Sequence, residues 1–285
     1  MIAVTGATGQ LGRLVIESLL DRNVAPSELV AVVRNPDKAK DIAERGIEIR
    51  RADYTQPEAL SAALKGIDKL LLISSSEIGS RLEHHRNVLD AAKEAGIERL
   101  VYTSLAFADS SPLSLAEEHK DTEALIREGG FRYTILRNGW YTENYTVSLA
   151  QNVEHGAMVG SARDGRVSMA PRKDYAEAAA VVLTTDGHEG AVYELGGDKA
   201  YTMSELAQEI SRAAGKEVVY RDMSTEEHAS ALVGFGLPES AASVFASFDT
   251  GIAQDYLYVE SGDLSRLIGR PTTPVSDTIK EALAS

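Results

Sequence analysis

The chain has 285 residues, a formal net charge of −14 and no cysteine. Its length lies near the size at which one hydrophobic core stops growing, so a large core with at most a small lobe is expected. The charge argues against nucleic acid and anionic membrane as partners, and the missing cysteines exclude disulfides, thiolate metal sites, iron–sulfur clusters and a cysteine nucleophile. No apolar run approaches the ~20 residues of a membrane helix. The first one, Ile2–Val4, runs directly into glycines, so no signal peptide is expected and a cytoplasmic location is.

The chain begins with a short apolar run, Ile2-Ala3-Val4-Thr5, followed by Gly6-Ala7-Thr8-Gly9-Gln10-Leu11-Gly12 and an amphipathic stretch. This pattern predicts a strand, a phosphate-binding loop and a helix N-terminus. Gly6 takes the turn, Gly9 admits a pyrophosphate, and Gly12 lets the helix pack closely. Free N–H groups at the helix start then face the phosphate charge. The second strand, Val30–Val33, ends at Arg34. An Asp or Glu there suits the ribose 2′-hydroxyl of NAD, whereas an Arg suits a 2′-phosphate. NADPH is therefore the expected cofactor, with a solvated Arg34 as the competing reading.

Further strands are predicted at 47–51, 69–73, 99–103, 133–136 and 192–195. Helical patterns cover 10–22, 36–45, 57–65, 79–95, 115–128 and 174–183. This alternation predicts an α/β fold, a doubly wound parallel sheet of the NAD(P)-binding Rossmann type. The alternation breaks at 139–171, which reads as loops, a short helix and a hairpin around Ala162–Gly165. A helix at 203–214 and a strand at 217–221 follow. The expected organisation is a core over 1–138, with a return segment 174–196. A small α+β substrate lobe is expected from 139–173 and 197–285.

Ligands of such sheets lie beyond the carboxyl ends of the strands. Ser74, Ser75 and Ser76 follow the fourth strand and are expected at the cofactor; an ordinary polar loop is the alternative. Asp53-Tyr54 either contacts adenine or belongs to a helix cap. The fifth strand leads to Phe107, a candidate substrate contact. The sixth leads to Arg137-Asn138-Gly139-Trp140-Tyr141-Thr142-Glu143-Asn144-Tyr145, which contains the single Trp. Flat amphipathic rings and Asn amides suit an aromatic, oxygen-bearing substrate; packing between the lobe and the core is the rival explanation. His84 and His85 are adjacent on a helix and make no metal pair. His155, His188 and His228 lack ligand spacing, so no metal site is expected.

These stretches resemble the NmrA-like, atypical short-chain dehydrogenase/reductase family, and within it the bacterial type-2 NAD(P)H:quinone oxidoreductases. The resemblance rests on MIAVTGATGQLG (1–12), VAVVRNP (30–36), LLLISSS (70–76), VYTSL (101–105), LRNGWYTENY (136–145) and VYELGGD (192–198). It implies NADPH-linked, flavin-free reduction of a small-molecule quinone. It further implies a cofactor site of Gly6, Ala7, Thr8, Gly9, Gln10, Leu11, Arg34 and Ser74 to Ser76. Asn138, Gly139, Trp140, Tyr141, Thr142, Glu143 and Arg172 are expected at the cofactor as well. Phe107, Trp140, Tyr141, Asn144 and Tyr145 are the expected quinone contacts.

Short-chain reductases carry a Tyr and, four residues later, a Lys on the helix after the fifth strand. Here Leu115 and His119 take those positions. The candidate catalytic residues are therefore Tyr141, His119 and Asn138, with His119 either orienting ribose, donating a proton or standing as a plain helix histidine. Quinones accept hydride readily, so the missing Tyr/Lys pair is tolerable. The alternatives are an NADPH-binding redox sensor of NmrA type without turnover, and a reductase of another conjugated electrophile such as a triphenylmethane dye. A homodimer is left open.

Overall fold

The computed structural model describes residues 1–284. The chain divides into two compact units. The first comprises Met1–Asp109, Leu115–Asn138 and Arg172–Glu194, and the second Ser110–Ser114, Gly139–Pro171 and Leu195–Ser285.

The first unit contains β1 (Ile2–Thr5), α1 (Gln10–Asp21), β2 (Leu29–Val33), α2 (Lys40–Glu44), β3 (Glu48–Arg51), α3 (Pro57–Ala63), β4 (Lys69–Leu72), α4 (Arg81–Glu94), β5 (Arg99–Leu105), α5 (Ser114–Glu128) and β6 (Arg132–Asn138). After an excursion into the second unit, the chain returns as α8 (Arg172–Thr184) and β10 (Ala191–Leu195). The seven strands form one sheet in the order β10-β6-β5-β4-β1-β2-β3. Pairing is parallel from β6 through β3. The order reverses between β1 and β4, and a doubly wound sheet opens its binding crevice there.

Continuous burial of β1, β2 and β5 explains their unbroken apolar sequence: both faces are covered. One face packs Ala3, Val30, Val32, Leu70, Leu72, Leu100 and Tyr102 against residues of α3, α4 and α5. Helix α1 packs on α8, and α8 also touches β4, β5 and β6.

One predicted helix differs. The pattern at 36–45 divides into a 3₁₀ turn, Pro36–Ala39, and the short α2. Asn35 caps the turn by accepting from the Asp37 amide at 3.0 Å, and Pro36 sets its tight start.

The second unit holds β7 (Trp140–Tyr141), α6 (Glu143–Thr146), α7 (Leu149–His155), β8 (Ala157–Gly160), β9 (Met169–Ala170), α9 (Met203–Ala214), β11 (Val219–Asp222), α10 (Thr225–Gly234), α11 (Glu239–Ile252), α12 (Asp263–Ile268) and α13 (Val275–Ala284). The expected hairpin around Ala162–Gly165 is not formed. A turn is present, with Gly165 N donating to the Ala162 carbonyl at 3.0 Å. Its flanks diverge: β8 pairs in parallel with β11, and β9 in parallel with β7. The polar, glycine-containing turn signal was real, but pairing went to strands remote in sequence. No helix among the described residues is long and apolar enough to cross a membrane.

Candidate functional site

The glycine loop leaves β1 at Gly6, whose φ of +60° is a left-handed conformation that a side chain disfavours. The Gly9 amide closes the turn onto the Gly6 carbonyl at 2.9 Å. Gly9 is also the N-cap of α1, which has no side-chain cap and no acidic residue in its first turn. The helix start thus keeps its N–H groups and positive dipole end for an anion. A Cβ on Gly12 would stand 2.4 Å from the Gly6 carbonyl oxygen and 2.8 Å from the Ala7 Cα, so only glycine permits this contact of helix and loop. The cradle fits the pyrophosphate of a dinucleotide.

Arg34, directly after β2, is exposed, and its guanidinium donates to the Glu77 carboxylate at 2.8 Å. Glu77 follows Ser74–Ser76 on the loop after β4. These positions, Gly6, Phe107 and Asn138 all lie at the carboxyl ends of parallel strands of this unit. A depression lined by Lys93, Ile97, Glu98 and Arg132 lies at the opposite, amino-terminal ends of β5 and β6.

The serine loop is held by side chains that sequence reasoning did not single out for this. Ile73 N donates to Thr5 Oγ1 at 3.1 Å, and Ser74 N to Thr103 Oγ1 at 2.9 Å. The Tyr54 hydroxyl donates to the Ile73 carbonyl at 3.1 Å, which ties Tyr54 to this loop. Asp53 closes its own turn, accepting from Thr55 N and Oγ1; the residue before Pro57, Gln56, caps without a side-chain bond. The Arg81 guanidinium donates to the Ser75 carbonyl at 2.7 Å, and Ser75 N donates to His85 Nε2 at 2.9 Å.

His85 is buried, and its tautomer follows from its partners. Nε2 accepts from Ser75 N, so Nδ1 carries the proton toward Thr122 Oγ1 at 3.0 Å, while Thr122 donates to the Glu118 carbonyl at 2.7 Å. Burial, with Arg81 and His84 adding repulsion, pushes the His85 pKa from 6.5 down to about 3. The unfolded chain binds this proton more readily, so the His85 contribution to stability is complete above pH 6.5 and is lost as pH falls toward 3. At pH 5 the loss is on the order of 2 kcal/mol. Urea unfolding is expected to show this fall between pH 7 and 5. His85→Gln, which keeps an acceptor for Ser75 but no titrating group, is expected to flatten the slope by about one proton. A slope unchanged by the substitution contradicts this role.

At the ends of β5 and β6 lies a buried charged network. Arg137 makes a two-pronged contact with Glu123, at 2.9 and 2.8 Å, and reaches Glu194 at 2.8 Å and Asp109 at 3.1 Å. Ser104 donates to Glu123 at 2.7 Å. Glu194 also accepts from Phe107 N at 3.0 Å. Phe107 has φ of +54°, a conformation costing a non-glycine residue roughly 1–2 kcal/mol. The network therefore fixes a strained residue at the strand ends, a recurrent mark of functional loops.

His119 is only 6% exposed and is hydrogen-bonded through Nδ1 to the Tyr102 hydroxyl at 2.7 Å. Burial, with Arg81 and His85 nearby, holds its pKa well below 6.5. Its imidazole is neutral at neutral pH, which removes the imidazolium proton donor that the sequence allowed. Asn138 closes β6 and is buried, with its carbonyl accepting from Ala106 N at 2.9 Å. Arg172 opens α8 in the same unit.

Gly139 to Tyr145 belong to the second unit. The two-residue strand β7 sends Trp140 and Tyr141 to opposite faces. Trp140 packs edge-on against Phe248, centroids 5.5 Å apart, and Phe248 against Phe245 at 5.8 Å. Thr142 N donates to the Ala170 carbonyl at 3.0 Å. Asn144 is exposed on α6 after Glu143, while burial and the Asp249 carboxylate hold the Tyr145 phenol well above its ordinary pKa. Ser161, His228 and Asp249 also meet in this unit. His228 Nδ1 lies 3.3 Å from Ser161 Oγ and 3.2 Å from Asp249 Oδ2. One nitrogen serving both partners is not the relay of a hydrolase triad, in which the two imidazole nitrogens divide those roles.

An NAD(P)H-binding family model matches residues 6–186, most of the first unit. The chain belongs to this NAD(P)H-binding family. Within the family it is 51% identical to quinone oxidoreductase 2 of Escherichia coli K12, over 98% of this chain and 97% of that protein. Its fold superposes on the crystal structure of the NADPH-dependent quinone oxidoreductase QOR2 of Escherichia coli complexed with NADPH. The TM-score is 0.97 at 50% identity, covering 99% and 100% of the two chains. The triphenylmethane reductase of Citrobacter sp. complexed with NADP(H) is similar at TM-score 0.96 and 42% identity, over 99% and 100%. The α/β Rossmann-like fold and the cofactor class expected from the glycine loop are thereby borne out.

Proposed function

We propose that the protein is an NADPH-dependent quinone oxidoreductase that delivers two electrons to a quinone by direct hydride transfer, without a flavin. The observation that carries this reading is the full-length likeness to a quinone oxidoreductase whose NADPH complex shares this fold. When bound, NADPH supplies the hydride at nicotinamide C4. The chain's own residues then bind and orient. Gly6 to Leu11 take the pyrophosphate at the start of α1, Arg34 takes the 2′-phosphate, and Ser74 to Ser76 hold ribose hydroxyls. Asn138 and Arg172, of the same unit, complete the cofactor set. Tyr141 and Asn144 of the second unit contact the quinone. Trp140, engaged with Phe248, and Tyr145, with its phenol buried beside Asp249, support that surface by packing. Hydride reduction of a quinone leaves a hydroquinone monoanion, which hydrogen-bond donors stabilise until a proton from water completes the hydroquinone, so no strong acid is needed.

A purified protein without flavin absorbance that oxidises NADPH on addition of a quinone supports this reading. Turnover that requires added flavin overturns it. Tyr141→Phe is expected to lower quinone kcat by roughly tenfold to a thousandfold, as loss of an oxyanion donor does. Tyr141→Ala adds a rise in quinone KM, with NADPH affinity unchanged in both. Loss of NADPH binding with quinone kinetics intact would put this residue on the other ligand. Likeness to the triphenylmethane reductase favours a second reading, reduction of a cationic dye; the same assay with such a dye separates the two.

A further inference from the structure

The residue that meets Arg34 is an acid, and its position is informative. Glu77 Oε1 accepts from the Arg34 guanidinium at 2.8 Å, and Glu77 Oε2 lies 3.9 Å from His84 Nδ1. Its backbone is tied to the serine loop, Glu77 N donating to Ser75 Oγ at 3.2 Å. The next turn is fixed as well: Glu118 accepts from Gly79 N at 3.1 Å and from Arg81 N at 3.0 Å. The carboxylate is thus carried on an anchored loop to the end of the side chain that reads the 2′ position. Both side chains remain open to solvent, with 71% of Arg34 and 50% of Glu77 exposed.

NAD sites place a carboxylate at the end of the second strand to accept from the ribose 2′-hydroxyl. Here that position is Arg34, and the carboxylate comes instead from the loop after β4. We propose that Glu77 is a specificity-determining residue that accepts from the ribose 2′-hydroxyl of NADH and opposes the 2′-phosphate of NADPH, making this a site for both cofactors with NADPH preferred. The proposal rests on the reading that Arg34 occupies the 2′ position. Two like charges sharing one guanidinium repel, so the phosphate must share Arg34 with Glu77 or displace it. A 2′-hydroxyl suffers no such repulsion and gains a charge-assisted acceptor.

Isothermal titration with NADPH, NADH, 2′,5′-ADP and 5′-ADP reads this without turnover. Glu77→Gln retains an acceptor for Arg34 but removes the charge. It is expected to tighten NADPH and 2′,5′-ADP by about threefold to tenfold and to weaken NADH and 5′-ADP by about threefold, changes of the size one exposed charge contact supplies. The NADPH-over-NADH preference then rises by at least about tenfold. A preference within twofold of wild type overturns the proposal. Arg34→Ala is titrated in parallel. If it weakens both dinucleotides equally, Arg34 is not at the 2′ position and the reading beneath the proposal falls too. If it is selective while Glu77→Gln is silent, only the role of Glu77 falls.

Discussion

Gly9→Val is expected to weaken NADPH binding by at least about a hundredfold in a protein that still folds. Gly9 has φ −75° and ψ 168°, extended values that a valine adopts. A Cβ there would lie 3.1 Å from the Gly6 carbonyl oxygen, so the turn must give by a few tenths of an ångström. The branched side chain then fills the approach to the N-terminus of α1. Two charge-assisted bonds between helix N–H groups and pyrophosphate are worth roughly 1.5–3 kcal/mol each, which sets the hundredfold minimum. Calorimetric titration measures the loss, and circular dichroism with a thermal melt checks the fold. Unchanged affinity in a folded variant removes the glycine loop from the cofactor site.

Arg34→Ala is expected to discriminate between cofactors. Removing the guanidinium costs NADPH at least about tenfold in affinity and leaves NADH nearly unchanged, because only the 2′-phosphate loses a charge-assisted partner. The neighbouring Glu77, 2.8 Å away, widens the loss, since its charge is then unopposed. Equal loss for both cofactors contradicts the assignment of Arg34.

The elements legible in the sequence were those whose cause is local or periodic. Runs such as Leu29–Val33 are continuous because both faces of the sheet are covered, and the glycine spacing at 6, 9 and 12 reflects one turn and one close helix contact. Arg34 was readable because its place follows from where β2 ends. The pairing of β8 with β11 and of β9 with β7 was not, since nothing near Ala162 names a partner so far along the chain. The buried polar network was equally hidden. His85 carries no motif that links it to Ser75, and Glu194 supports Phe107 from 87 residues away. The helix position of His119 is legible in the sequence, but only the fold shows Tyr102 against it and the neutral imidazole that follows. Trp140 and Tyr141 read as one aromatic cluster, yet strand geometry sends neighbouring side chains to opposite faces.

Steady-state oxidation of NADPH by the purified protein, with 1,4-benzoquinone as acceptor and no added flavin, tests the central claim most directly. Saturable turnover, with one NADPH consumed per quinone reduced to hydroquinone, is the result the account predicts. Tight NADPH binding without turnover on any quinone would contradict it and leave a dinucleotide sensor in its place.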